Sequence, residues 1–212
     1  MSTTTGPRGR PDGSWPPLRP ELRGHVPYGA PQLDVAHRLN VNENPYPPSE
    51  AMVADVVVAV AEATRGLNRY PDRDATALRV DLAAYIRTDV PRGPLVTGAQ
   101  VWAANGSNEV LQTVLLAYAG PGRTVATFEP TYQMHAQIAR VTGARVVEGE
   151  RGADFTLDAA EVDRVLAGYA PDVVFLTSPN NPTGIVEPPE RVEQLLASAP
   201  GLVVVDEAYA QF

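Results

Sequence analysis

The 212-residue chain has no cysteine, which excludes disulfide scaffolds, thiolate nucleophiles and Cys-based zinc sites together. It has no lysine either: all 17 basic residues are arginine, so the only primary amine in this polypeptide is the α-amino group of Met1. Histidine is scarce. His25 and His37 lie in a Pro-rich stretch and His135 follows Thr131 and Tyr132, with no H-x-x-x-H spacing to put two imidazoles on one helix face, so no metal centre is expected. No run approaches the roughly 18 apolar residues of a membrane span, and the N-terminal MSTTTGPRGRPDGSWPPLRP lacks the apolar core of a signal peptide. A cytoplasmic location is therefore expected. With 25 acidic against 17 basic residues the net charge is −8, the wrong sign for a nucleic-acid binder.

What is present reads as an ordinary globular composition, 44% hydrophobic and 20% charged. Ten of the 21 prolines fall in the first 48 positions, where they exclude long helices and central strands. Residues 1–24 are expected to be a disordered tail. Residues 25–48 form an arm with enough apolar surface to dock, through Val26, Tyr28, Leu33, Val35, Leu39, Val41 and Tyr46. A helical segment, 49–92, follows: Met52, Val53, Val56, Val57 and Val60 recur at helical steps until Gly66, and a second helix, with Asp74 placed to cap it, runs to Pro91.

From residue 93 to 212 short Val-rich strands alternate with helices. The expected order is VWAA, a helix from Ser107 to Ala119, TVATF, a helix from Tyr132 to Thr142, and ARVVE. A helix opened by a capping box of Asp158 and Glu161 comes next, then DVVFLT, a helix from Glu190 to Ser198, and GLVVVDEA. The pattern predicts an α/β fold, a mostly parallel sheet with helices on both faces. In such sheets ligands bind beyond the carboxyl ends of the strands.

Four segments occupy those ends. Gly106-Ser107-Asn108 leads into a helix, so free backbone N–H groups, a hydroxyl and the positive end of the dipole converge as a phosphate or carboxylate cradle; taken alone it is also an ordinary N-cap. Tyr132 is either a core ring or a stacking surface for a planar ligand. Asn180-Asn181-Pro182-Thr183-Gly184 is a rigid turn that can hold Asn181 in the crevice. Asp206 ends what reads as a central apolar strand, where a partly desolvated carboxylate wants a cationic or hydrogen-bonding partner. Tyr209 can reach the same crevice.

Together with PYGAPQ, LNVNENPYPPS, LNRYPDRDA, AANGSNE, FEPTYQMH, SPNNPTG and VVVDEAY, these segments make the chain resemble the fold type I, class II pyridoxal-phosphate-dependent aminotransferases, and within them the histidinol-phosphate branch. The likeness runs from about Pro27 to Phe212. It implies a large domain cut off before a C-terminal domain. It also implies pyridoxal 5'-phosphate as cofactor, held at its phosphate by Gly106, Ser107 and Asn108. Tyr132 would lie over the ring, Asn181 and Tyr209 would bond its hydroxyl, and Asp206 would pair with its ring nitrogen. Tyr70 would cross to the partner subunit's cofactor phosphate, and Asn42 and Tyr46 would line the neighbouring substrate site, which implies a homodimer.

The implied reaction moves an amino group between glutamate and imidazole-acetol phosphate, giving histidinol phosphate and 2-oxoglutarate. That chemistry also needs a Schiff-base lysine, which in the family follows the DEAY strand. The lysine-free chain therefore reads as an N-terminal portion that does not turn over by itself. Two alternatives stand beside this reading. One is a threonine-phosphate decarboxylase or aromatic aminotransferase of the same fold, and the other is a non-catalytic, lysine-free module that binds ligands or partners.

Overall fold

The computed structural model describes residues 17–26, 29, 31, 33–37, 40–89, 93 and 95–212. Most of the expected tail, and Tyr28 and Leu39 of the arm, lie outside them. The chain divides into two compact units, one holding Ser107–Phe212 with the described N-terminal residues 17–26, the other Gly29–Gly106.

The Gly29–Gly106 unit carries two helices, α1 (Glu50–Thr64) and α2 (Thr76–Asp89). Ser49 starts α1 by accepting a hydrogen bond from the Met52 amide at 3.2 Å, the usual service of an N-cap hydroxyl to an orphan helical N–H. The expected cap of α2 is displaced by two residues. Asp72, not Asp74, accepts from the Thr76 amide at 2.7 Å and from the Asp74 amide at 3.1 Å, while the Asp74 carboxylate is taken up by Arg73. Residues 101–104, expected as the strand VWAA, have no strand conformation. A strand is stabilised by a ladder partner, and no described strand pairs with this segment.

In the other unit the elements follow the expected alternation: α3 (Ser107–Tyr118), β1 (Thr124–Glu129), α4 (Met134–Thr142), β2 (Arg145–Glu150), α5 (Ala159–Tyr169), β3 (Val173–Thr177), α6 (Pro189–Ser198) and β4 (Leu202–Asp206). The strands form one parallel sheet in the order β2-β1-β3-β4. Side chains alternate across it with the period of two that a pleated strand imposes. Ala126, Phe128, Val147, Val174 and Leu176 pack against Val162, Val165 and Leu166 of α5 and Leu195 of α6. Val125, Val173 and Phe175 face the other way, against Leu111 and Leu115 of α3 and Ile138 and Ala139 of α4. Both faces are covered, as the composition of the strands predicts.

Two local expectations are corrected. Asp158 caps α5 alone, accepting from the Ala160 amide at 3.0 Å. Glu161 does not close a capping box: it accepts from the Glu150 amide at 2.9 Å and pairs with Arg164, because an arginine one turn ahead and a strand N–H compete for it. The apolar β4 is an edge rather than a central strand of the described sheet, and all five of its residues are only half-buried.

Candidate active site

The strand order makes a crevice before any side chain is considered. From β1 the chain leaves through α4 on one face, and from β3 it leaves through α6 on the other. The loops after these neighbouring strands therefore part, and such a switch point is where open α/β sheets bind ligands. Ser107, Tyr132, Thr177, Asn181, Asp206, Ala208 and Tyr209 line a hollow of about 100 Å³ here. That is less than the several hundred Å³ usual for small-molecule sites, so these residues form a seat rather than an enclosure. A larger hollow of about 420 Å³, between α3 and α4, presents mainly apolar surface from Leu116, Met134, Ile138 and Val141, with His25, Gln112, Gln137 and Thr142 also in its lining, and holds no carboxylate.

Of the residues read from the sequence, Ser107, Tyr132, Asn181, Asp206 and Tyr209 share this hollow. Ser107 opens α3, where unsatisfied backbone N–H groups favour an anion. Asn108 stands beside the hollow, its side-chain oxygen accepting from the Tyr132 hydroxyl at 3.2 Å. Gly106 comes just before α3 in the left-handed region (φ 81°), which glycine adopts without strain. Tyr70, Asn42 and Tyr46 belong to the Gly29–Gly106 unit. There Tyr70 is fully exposed and Tyr46 is largely so.

One residue at the hollow's edge escaped the sequence reading. His135, in the first turn of α4, is completely buried, and its Nε2 lies 2.9 Å from Oδ2 of Asp206. Its ring stacks on Phe175 at 4.4 Å between centroids and an interplanar angle of 5°, and meets Tyr132 edge-on at 5.4 Å. The other oxygen of Asp206 accepts from the Ala208 amide at 3.1 Å. The His135 bond holds the Asp206 carboxyl below the usual carboxylate range, with the Ala208 N–H adding to the effect and burial opposing it. The carboxylate is thus ionised and fixed through both oxygens. The detectable signal was the three-residue spacing of Tyr132 and His135 in a segment expected to be helical; in the structure Tyr132 lies just before α4, its carbonyl accepting from the His135 amide at 3.2 Å. The partner, Asp206, is 71 positions away and leaves no local trace.

The loops carrying these groups are tied down. Arg151 and Glu187, each 1% exposed, form an ion pair that joins the end of β2 to the segment after β3. Arg151 also donates to the Phe128 and Phe155 carbonyls at 3.2 and 3.1 Å, and the Glu187 amide donates to the Ser178 hydroxyl at 3.0 Å.

The chain is similar to known proteins along most of its length. Histidinol-phosphate aminotransferase of Corynebacterium glutamicum is 54% identical over 196 residues, which is 92% of this chain and 53% of that protein. The enzyme of the same name from Thermobifida fusca is 56% identical over 92% of this chain and 52% of its own length. The chain thus spans about half the length of the curated relatives it matches. A crystal structure of histidinol-phosphate aminotransferase from Sinorhizobium meliloti, in complex with pyridoxal-5'-phosphate, shares the fold with a TM-score of 0.72 at 21% identity, covering 94% of this chain and 53% of that one. The model of aminotransferase class I and II matches residues 36–212, and the chain belongs to that family.

Proposed function

We propose that this chain is the cofactor-seating part of a pyridoxal-phosphate-dependent aminotransferase that interconverts histidinol phosphate and 2-oxoglutarate with imidazole-acetol phosphate and glutamate. The observation that carries the proposal is an ionised, doubly anchored carboxylate, Asp206, in one hollow with a helix N-terminus and a flat tyrosine ring. That donor set fits the cofactor: a phosphate is suited to the amides and hydroxyl at Ser107 and Asn108, a planar ring to Tyr132, a ring hydroxyl to Asn181 and Tyr209, and a protonated ring nitrogen to Asp206. When bound, pyridoxal phosphate supplies an electron-accepting ring for breaking the Cα–H bond of an amino acid.

The residues of this chain orient the group and set its charge. Asp206 keeps a proton on the ring nitrogen by being the stronger acid of the two, and His135 holds Asp206 in that role with its own ring locked against Phe175. Tyr132 restricts the ring to one plane. Gly106 lets the backbone turn sharply into the phosphate cradle. In the homodimer that belongs to this proposal, Tyr70 reaches the partner's cofactor phosphate, and Asn42 and Tyr46 line the partner's substrate site. The proposed setting is cytoplasmic; no helix among the described residues is long and apolar enough to cross a membrane.

The identity to histidinol-phosphate enzymes favours that substrate over threonine phosphate or an aromatic amino acid. A protein of the relatives' length carrying this sequence, assayed with histidinol phosphate, threonine phosphate and phenylalanine, is expected to transaminate the first. Activity on either of the others alone would refute the assignment. The 212-residue chain is expected to show no turnover, because it has no lysine, yet to bind the cofactor reversibly and to lose that binding in Asp206→Ala.

A further inference from the structure

The turn after β3 contains two asparagines, and the one outside the hollow is the more firmly held. Asn180 is 2% exposed, and each of its polar groups is engaged. Its amide nitrogen donates to the Pro130 carbonyl at 3.0 Å and to the Thr183 hydroxyl at 2.8 Å, and its side-chain oxygen accepts from the Thr131 hydroxyl at 2.9 Å. Its backbone N–H donates to the Ile185 carbonyl at 2.8 Å, and its carbonyl accepts from the Gly184 amide at 2.7 Å. The Pro130 carbonyl can only accept, which fixes the orientation of the amide.

Thr131, itself 7% exposed, has one hydroxyl proton and gives it to Asn180. At its 3.0 Å contact with the Thr177 hydroxyl it must then be the acceptor, so the chain of donation runs from Thr177 to Thr131 to Asn180. A plain turn needs only local bonds. Here two of the three side-chain bonds of Asn180 reach residues 49 and 50 positions away.

We propose that Asn180 is a positioning residue which, with Thr131 as relay, couples the loop bearing Tyr132 to the loop bearing Asn181. Each member of the brace is the sequence neighbour of a group lining the hollow. The distance between the ring-face group and the ring-edge donor is thus set by one buried amide with no freedom left in it. The proposal rests on the cofactor reading for its consequence, and on the hydrogen bonds alone for its existence.

Two measurements test it on the 212-residue chain. Pyridoxamine 5'-phosphate, which needs no lysine to bind, is titrated while its induced circular dichroism is recorded. Thr131→Val and Asn180→Ala should each weaken binding by roughly three- to tenfold, the worth of a lost hydrogen bond, and lower the induced signal per bound ligand. The double variant should be no worse than Asn180→Ala, and Thr131→Ser should behave like the parent. Amide hydrogen exchange of the ligand-free chain is the second arm. Thr131→Val should speed exchange at Asn180 and Gly184 in the other loop, and Thr183→Val, at a half-buried position that leaves the core intact, should speed it at Thr131. Additive losses in the double variant, or unchanged exchange across the loops, would overturn the brace. If the parent chain binds no pyridoxamine phosphate, the cofactor reading is what fails, and the exchange arm still decides the coupling.

Discussion

At the scale of single residues the site is an exercise in fixing one negative charge. Asp206 has a side chain only 9% exposed and bonds to His135 and to the Ala208 amide. A carboxyl whose acidity is strengthened by folding contributes stability above the ordinary aspartate pKa of about 4, and loses it as pH falls through the lowered folded value. Asp206→Asn should therefore cost about 1–3 kcal/mol at neutral pH, as expected for an impaired bond to a charged, buried group. The difference between parent and variant should shrink as the medium is acidified. Urea denaturation at a series of pH values measures both; a difference that does not change with pH would contradict the assignment of the charge. That Ser107, Asn181 and Asp206 meet at one hollow was legible, because Ser107 opens a helix, Asp206 ends a Val-rich strand and Asn181 lies in the turn that follows another. His135 was not, since its partner is distant in sequence and a lone histidine on a helix has no local signature of burial.

Among elements, the parts fixed by local chemistry were legible and those fixed by a partner were not. Helix α5 starts at Ala159, just after its cap Asp158, and α6 at Pro189, as the capping residue and the proline dictate. Strands β1 and β3 are buried over most of their length; β3 reads as the near-continuous apolar run typical of a covered parallel sheet, and in β1 the only buried polar residue is Thr127. Residues 101–104 have the composition of a strand but no described strand beside them to pair with. The assignment of Glu161 failed because its carboxylate had two other claimants. The Arg151–Glu187 pair also escaped notice, though it joins β2 to the segment after β3 in the interior. Glu187→Gln should destabilise the fold by about 3–5 kcal/mol, because it leaves a guanidinium buried without its counter-charge. Replacing both residues by methionine should cost much less. Chemical denaturation of the three variants checks the order, and equal losses would show that the packing matters rather than the charge.

For the whole molecule, the absence of lysine is a chemical statement that can be tested directly. Borohydride reduction after incubation with pyridoxal phosphate should attach a pyridoxyl group at the Met1 α-amino group and nowhere else, as peptide mass mapping would show; an internal label would contradict the sequence argument. The net charge of −8 is no obstacle to the proposed phosphorylated ligand, because in that proposal backbone amides at the start of α3 meet the anion. The winding of the sheet carries a broader consequence. Since β1 and β3 dispatch their chains to opposite faces, the opening between them belongs to the topology, while the chemistry belongs to the few side chains at its rim. Such a scaffold can exchange its lining for another without being refolded.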